Sequence, residues 1–547
     1  MKHFLNSRES IVTEALDGFL RTAGSGGLVR LDGYPAVKVV MRSDRNTGKV
    51  AIVSGGGAGH EPSHAGFIGK GMLTAAVSGE IFASPSVEAV LAAIRAVAGP
   101  AGCLVIIKNY TGDRLNFGLA AEKARGEGLA VKTVIVADDI ALPNIAQPRG
   151  VAGTLFVHKI AGYLSETGKD LETVAAAARS VAAETVSIGL SLSSCSIPGQ
   201  AHAERLGDND GELGLGIHGE PGIERIAVQR ADALVAMMAD RLAARIDPSR
   251  DHALLINNLG AVPPLEMALI ANAVMESPLA KTVKLVIGPA PMMTALNMNG
   301  FSLSLLPLGA EREAALLAQV GPHAWAPAKP SGTVRTVPMP KTPALATNAG
   351  QSTDSRAERL IETVCRRLIA LEVELNRLDA RAGDGDTGTT VATGARSVLD
   401  RLRMLPLADR GKSLAAIGDV LSVSMGGSSG VLLSIFFTAA AQALTFGASL
   451  PTSLLAGLDR MTYYGGAKAG DRTMIDALEP ALNALATGGL EQAARDARKG
   501  AEATASMRKA NAGRSAYLGD QLAGIVDPGA LAVAEAFDAM AALSMVA

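Results

Sequence analysis

Apolar residues recur in two different rhythms along this chain, and the change between them falls past its middle. From about residue 28 to 320, short β-branched runs alternate with helical patterns. GCLVIIKNY (102–110) and LAVKTVIVADD (129–139) predict buried strands, with a helix from Asn116 to Arg125 between them. ALLINNLG (253–260) and TVKLVIGP (282–289) repeat the unit around a helix near 263–275. Strand–helix–strand repetition predicts mostly parallel sheets with helices on their faces. Two clusters of such units predict two α/β subdomains, together spanning 1–324.

The segment 325–355, WAPAKPSGTVRTVPMPKTPALATNAGQSTDS, has no apolar period and is rich in Pro, Thr, Ser and Ala. It predicts a semi-extended linker. Beyond it the rhythm becomes helical. Leu360, Val364, Leu368, Leu371, Leu375 and Leu378 recur at intervals of four or three, which is one helix face. Similar patterns fill 389–403, 411–424, 430–446, 452–463, 473–486, 489–506 and 529–544, with almost no strand signal. Residues 356–547 therefore predict an all-α bundle of about eight helices.

Composition narrows the function. At about 100–200 residues per domain, 547 residues imply three or four domains. A net charge of −2 gives no footprint for nucleic acid or an anionic membrane surface. Cys103, Cys195 and Cys365 are odd in number and far apart, so they form neither a disulfide framework nor a CxxC metal site, as expected in a reducing cytosol. Glu9, Glu14 and Asp17 stand where a signal peptide would be apolar. Val420 to Leu458 carries no charge, but glycine, serine, Gln442 and Pro451 interrupt it, so a buried helix is expected there rather than a membrane span.

The densest chemistry lies in LDARAGDGDTGTT, with Asp379, Asp384 and Asp386 interleaved among glycines. Carboxylates this close repel one another unless a cation sits among them, and hard cations take oxygen ligands. The offsets do not match an EF-hand. The spacing suits Mg²⁺ shared with substrate phosphates; the alternative is a solvated acidic turn. MGGSSG (425–430) opens an apolar helix, a form that suits phosphate. GAKAGDRTMID (466–476) and GRSAYLGDQ (513–521) with DPGA (527–530) are further glycine-rich turns at helix ends. Alternate helix ends of a bundle share one face, so these segments can surround one nucleotide.

In the first half, SGGGAGHEPSHAGFIGKG (54–71) follows the strand VAIV (50–53). It fits neither a phosphate loop nor a dinucleotide fingerprint, but such a loop builds a small-ligand pocket from backbone N–H groups. KNYTGD (108–113) follows a strand end, where ligands gather in open α/β sheets. Lys108 and Asp113 there either hold and deprotonate a hydroxyl or cap a helix, with Asp113 as N-cap. GLGIHGEPG (214–222) sets His218 among small neighbours, either as a structural histidine or as an accessible nucleophile.

Taken together, these motifs resemble the single-chain, ATP-dependent dihydroxyacetone kinases, along essentially the whole chain. The resemblance implies an α/β K-type domain that binds the triose and an L-type eight-helix barrel that binds Mg–ATP. It assigns His218 a covalent hemiaminal with the substrate carbonyl. Substrate contacts would come from Gly57, Ala58, Gly59 and His60, with His60 assisting, and from Lys108 and the general base Asp113. Paired Mg²⁺ ions would sit on Asp379, Asp384 and Asp386. Nucleotide contacts would fall on Thr387, Gly388, Thr389, Thr390, Ser428, Ser429, Gly470, Met474, Arg514, Asp527, Pro528 and Gly529. The family also implies a cytoplasmic homodimer, with one subunit's L domain over the other's K domain.

In the branch of the family fed by a phosphocarrier protein, the two domains are separate chains and the loop usually reads GDGDHG. Here one chain holds both and the loop reads GDGDTG, which favours exchangeable ATP. Other expectations compete with dihydroxyacetone as substrate. One is a kinase for erythrulose or D-glyceraldehyde, and some eukaryotic relatives also cyclise the ribityl-phosphate end of FAD. A sugar-sensing regulator and a fatty acid kinase are further readings, opposed respectively by the intact aspartate triad and by GLGIHGEPG.

Overall fold

The computed structural model describes residues 3–23, 27–141, 147–200, 205–340, 352–381, 383–511 and 522–546. The chain divides into two compact units, Met1–Arg335 and Thr336–Ala547.

The first unit holds two sheets. The first is built from β1 (Leu28–Arg30), β2 (Val39–Arg42), β3 (Ala51–Ala58), β4 (Ala75–Ile81), β5 (Cys103–Lys108) and β6 (Val131–Val136), in the order β1-β2-β4-β3-β5-β6. Its four strands β4, β3, β5 and β6 pair in parallel, as the strand–helix rhythm predicts. The second is built from β7 (Val186–Ser191), β8 (Asp210–Leu213), β9 (Glu224–Ala227), β10 (His252–Asn258), β11 (Val283–Pro291), β12 (Gly300–Pro307) and β13 (Lys329–Pro330), in the order β13-β11-β10-β12-β7-β8-β9.

The second sheet departs from the parallel expectation. Only β10 and β11 pair in parallel. The link from Pro291 to Gly300 is too short for the crossover of a dozen or more residues that a parallel return needs. β12 therefore comes back antiparallel on the far side of β10, and β8–β9 is a hairpin whose long loop carries His218.

Alternating side chains on these strands feed different cores. Leu104 and Ile106 on β5, with Ala253 and Leu255 on β10, face a central layer that includes Leu155, Phe156 and Ile160 of helix Thr154–Glu166. Cys103 and Val105 face helices Val87–Val97 and Thr111–Gly126. Leu254 and Ile256 face helices Ala231–Ala243 and Pro264–Glu276. β5 and β10 are thus covered on both faces, which is why they read as nearly continuous apolar runs.

Two further expectations change in this unit. The glycine segment after VAIV is not all loop, because β3 runs on through Gly55, Gly56 and Gly57 to Ala58. A Cβ on Gly55 would lie 2.2 Å from the Val77 carbonyl oxygen, so that glycine lets β3 and β4 approach. The expected linker also begins on the folded unit. Trp325 is buried, β13 pairs with β11, and the Ser331 N–H donates to the Lys284 carbonyl oxygen at 2.8 Å.

The second unit is helical. Its described residues form nine α-helices rather than eight, because the first periodic segment breaks at Leu371 into Ser355–Ala370 and Glu372–Asp379. The others are Thr387–Arg401, Arg410–Ser424, Gly427–Thr445, Leu450–Gly465, Ile475–Thr487, Gly489–Ala503 and Pro528–Val546. Successive helices pack side by side, and the last packs on the first, closing the ring. Most connections are short, which makes successive helices antiparallel. The starts of Thr387–Arg401, Gly427–Thr445, Ile475–Thr487 and Pro528–Val546 therefore share one end. Gly427–Thr445 is long and apolar enough to cross a membrane. Contrary to expectation it is not a buried helix: among its residues Gly430, Phe436, Ala440 and Ala441 are buried, while Val431 is 54% exposed.

Candidate active site

The first candidate site lies where the C-terminal end of β3 meets the second sheet. The 59–61 segment is stitched to the 294–296 loop: Leu296 N–H donates to the Gly59 carbonyl oxygen (2.8 Å) and Thr294 Oγ1 to that of Glu61 (2.9 Å). His60 is fully buried, with Nδ1 2.8 Å from the Thr294 carbonyl oxygen. A carbonyl only accepts, so Nδ1 carries the proton and Nε2 has the lone pair in the neutral ring. That Nε2 faces His218 Nε2 at 3.1 Å, so the proton between them belongs to His218.

His218 stands in an aromatic box. Its ring meets Tyr110 edge-on at 4.1 Å between centroids, His60 at 4.8 Å and Phe82 at 5.4 Å. Burial, with Lys108 and Arg149 adding, pushes its pKa down to about 3. Burial, reinforced by Lys108 and His218, also holds His60 well below the ordinary value of 6.5. Both rings are neutral near pH 7, and a neutral imidazole is a nucleophile.

The loop that presents His218 is organised by Glu220. Its Oε2 accepts the His218 backbone N–H at 2.7 Å, while Oε1 lies 3.5 Å from the Tyr110 hydroxyl and 3.8 Å from Arg149. Arg149 Nε in turn donates to Asp139 at 2.7 Å and its Nη2 to the Gly214 carbonyl oxygen at 2.8 Å. A Cβ on Gly216 would fall 1.8 Å from Glu220 Oε1, so glycine is required there for the carboxylate to fold back.

Lys108 ends β5 and Asp113 lies in the first turn of helix Thr111–Gly126. Tyr110, not Asp113, is the N-cap, which removes the capping role for the aspartate. Lys108 Nζ is 3.8 Å from Asp113 Oδ2, and both side chains are buried. Nζ has no hydrogen-bond partner. Burial lowers the Lys108 pKa, opposed by Asp113 and Glu220. A buried ammonium without an acceptor is costly and marks a place for a ligand oxygen. Gly56, at φ +149°, lies over this pair, since a Cβ there would be 2.7 Å from Lys108 Nζ and 3.3 Å from Asp113 Oδ2. Gly57 closes against the Phe82–Ala83 backbone, and Gly59 against the Phe82 ring.

In the helical unit the carboxylate oxygens of Asp379, Asp384 and Asp386 lie within 4.8 Å of one another. Asp379 is buried, and its Oδ2 accepts the N–H groups of Gly385 (3.0 Å), Asp386 (3.0 Å) and Thr387 (3.1 Å). Those bonds wrap the loop around one oxygen and leave Oδ1 for a ligand. Three carboxylates with exposed members suit a hard cation.

Thr387, Gly388, Thr389 and Thr390 form the first turn of the following helix. Thr389 is bonded to Asn376 through both its N–H (3.0 Å) and its Oγ1 (2.9 Å), and Gly388 packs against the Glu372 carbonyl oxygen. Ser428 and Ser429 open helix Gly427–Thr445, where N–H groups lack intrahelical acceptors. Gly470, Met474, Asp527 and Gly529 come together: Gly470 N–H donates to Asp476 at 2.6 Å, and a Cβ on Gly529 would lie 3.3 Å from Met474 Cβ. Pro528 is the first residue of its helix, with Asp527 bonded to the Ala530 N–H at 2.8 Å. Arg514 lies outside the described residues.

Comparison with known proteins decides the family. A model described as the Dak1 domain matches residues 27–324, and one described as the DAK2 domain matches 381–542. The dihydroxyacetone kinase of Citrobacter freundii is 48% identical over 98% of each chain. The chain belongs to the dihydroxyacetone kinase family. The crystal structure of the Citrobacter kinase in complex with AMP-PNP and Mg²⁺ matches with a TM-score of 0.83 at 47% identity, over 99% of each chain. The human triokinase/FMN cyclase is 42% identical over 97% of each chain. A dihydroxyacetone kinase operon co-activator, Dha-DhaQ, matches at 31% identity with a TM-score of 0.53, covering 57% of this chain and 98% of its own.

Sequence patterns left unassigned several residues that the structure packs around His218, His60 and Lys108. Tyr110 and Glu220 sit inside the motifs that carry Lys108 and His218, so the signal was present but unassigned. Phe82, Arg149 and Thr294 come from segments without a motif, brought in only by the packing of the two sheets.

Proposed function

We propose that this protein transfers the terminal phosphoryl group of ATP to the terminal hydroxyl of dihydroxyacetone, giving dihydroxyacetone phosphate. The observation that carries this reading is the neutral His218 ring, its Nε2 3.1 Å from His60 Nε2, beside the buried Lys108–Asp113 pair. His218 Nε2 adds to the substrate's central carbonyl carbon: a C–N bond forms and the C=O π bond breaks. The Nε2 proton must end on the former carbonyl oxygen, and the lone pair of His60 Nε2 receives it and passes it on. Lys108 Nζ binds a substrate oxygen, and Asp113 accepts the proton of the terminal hydroxyl. Gly57, Ala58 and Gly59 line the substrate through their backbone.

Asp379, Asp384 and Asp386 would hold Mg²⁺, two ions in the family's manner, which when bound offsets charge on the β- and γ-phosphates. The shared end of the helical ring, where the helix opened by Ser428 and Ser429 presents N–H groups without intrahelical acceptors, supports the nucleotide assignment to Thr387–Thr390, Ser428, Ser429, Gly470, Met474 and Asp527–Gly529. The resemblance adds Arg514. A substrate domain over 1–324, a linker and a nucleotide domain over 356–547, in a homodimer, belong to the same proposal. Three free cysteines support a cytoplasmic setting.

A sensor needs no carboxylate triad, so the co-activator's role does not transfer. ATP-dependent ADP release with dihydroxyacetone, glyceraldehyde, erythrulose and glycerol tests the reading. Fast turnover with dihydroxyacetone supports it. No turnover with any carbonyl substrate overturns it, and a strong preference for erythrulose or glyceraldehyde reassigns the substrate.

A further inference from the structure

Arg472 is the largest fully buried side chain among the described residues. Its backbone adopts φ +61°, a left-handed conformation that is disfavoured for a residue with a Cβ and that tends to collect at functional sites. Its guanidinium makes one hydrogen bond, from Nη2 to the Ile525 carbonyl oxygen at 2.7 Å. Nε and Nη1 are buried without partners. A strained backbone that sinks a charge with two unmet donors is not what stability alone selects.

Its surroundings give the reason. Arg472 stands between Gly470 and Met474, and the charges acting on it are those of Asp527 and Asp476. Asp476 ties the 470–476 turn together by accepting the Gly470 N–H (2.6 Å) and Thr473 N–H (2.7 Å). Asp527 is held from its other side, its N–H donating to Thr504 Oγ1 at 2.9 Å. Met474 touches the Gly529 position. Arg472 is thus the link between two chain segments, 470–476 and 525–529, that are far apart in sequence.

We propose that Arg472 is a positioning residue for the nucleotide: its guanidinium clamps the Ile525–Asp527 segment against the 470–476 turn and fixes the Asp527-Pro528-Gly529 turn in the seat the nucleotide needs. This rests on the nucleotide reading given above. The two unmet donors give the clamp the capacity to tighten on the Asp527 carboxylate when the seat is filled. Arg472 itself touches no phosphate in this account, so its loss acts on nucleotide affinity and not on the chemical step.

The test uses the full chain and Mg–AMP-PNP as the binding probe, with Kd from calorimetry and KM and kcat from ADP release. Arg472→Met keeps the volume and removes the charge and donors. It should raise Kd for Mg–AMP-PNP and KM for ATP roughly 10- to 100-fold, the worth of one charge-assisted hydrogen bond. KM for dihydroxyacetone and kcat at saturating ATP should stay within about twofold, because uniform binding alone is lost. Arg472→Lys should recover part of the affinity. Thr504→Val loosens the same turn from the other side and should move KM for ATP in the same direction. Wild-type Kd in Arg472→Met overturns the proposal. So does a fall in kcat and triose affinity as large as the fall in ATP affinity. If Arg472→Met does not fold, wild-type Kd in both Arg472→Lys and Thr504→Val overturns it. Wild-type protein that fails to bind Mg–AMP-PNP overturns the nucleotide reading itself, and this proposal with it.

Discussion

Asp379 differs from the other two aspartates of its cluster, and substitution separates the two jobs the cluster combines. Asp379 Oδ2 accepts three backbone N–H bonds at 3.0, 3.0 and 3.1 Å, whereas Asp384 and Asp386 are exposed. Asp379→Asn keeps an oxygen for those three donors but turns charge-assisted bonds into neutral ones. At about 1 kcal/mol lost per bond, the loop loses about 3 kcal/mol. That is roughly a 100-fold rise in local opening. Asp386→Asn breaks no such hub, since its side chain makes no cap bond to the helix it opens, and should change local stability by less than about 0.5 kcal/mol. Asp379→Asn, Asp384→Asn and Asp386→Asn should all cut turnover by about 10³-fold or more, since in the proposed function the three carboxylates together hold the metal. Hydrogen–deuterium exchange of the peptide covering 380–390, run beside ADP-release assays, reads both effects. Equal loss of protection in Asp379→Asn and Asp386→Asn, or unchanged protection in Asp379→Asn, would refute the assignment of the loop's hub. Wild-type turnover in Asp384→Asn or Asp386→Asn at saturating Mg²⁺ would refute the metal role.

Three other outcomes follow from the first site. Asp113→Asn should lower kcat by about 10²–10⁴-fold with little change in KM for ATP; a change confined to sugar affinity would make Asp113 a binding residue instead. Gly56→Ala puts a methyl 2.7 Å from Lys108 Nζ and should cost about 10²-fold in kcat/KM, while KM for ATP stays put; wild-type kcat/KM would show that Lys108 is not held against Gly56. His218, held to about 3, loses its lone pair only as pH falls toward that value, so dihydroxyacetone affinity should be flat between about pH 5 and 8. A titration near the ordinary 6.5 that disappears in His218→Ala would contradict this.

Much of this protein was legible in the sequence because its periodicities are clean. The apolar runs of β5 and β10 are continuous since both strands are buried on both faces, and the Leu360–Leu378 stripe marks a helix face. The aspartate cluster and His218 announce themselves through glycine spacing. What escaped depends on neighbours distant in the chain. β3 continues through three glycines only because Val77 approaches it. The second sheet turns antiparallel because a short connection forbids a crossover. Trp325 and β13 look like linker until β11 supplies a partner. Phe82 and Thr294 reach His60 and His218 through packing alone. The break at Leu371 leaves the apolar period intact, so the pattern could not reveal it.

The central claim, that His218 selects its substrate by bonding to a carbonyl, is tested most directly by one ratio. This is kcat/KM for dihydroxyacetone over that for glycerol, in ATP-dependent ADP release, for wild type and His218→Ala. Glycerol offers the same hydroxyls without the carbonyl. Covalent selection predicts a strong wild-type preference for dihydroxyacetone. It predicts a loss of at least about 10²-fold in kcat/KM for dihydroxyacetone in His218→Ala, about 2.7 kcal/mol, and a preference that shrinks by a similar factor. Full discrimination against glycerol retained by His218→Ala would contradict covalent selection and return His218 to a structural role.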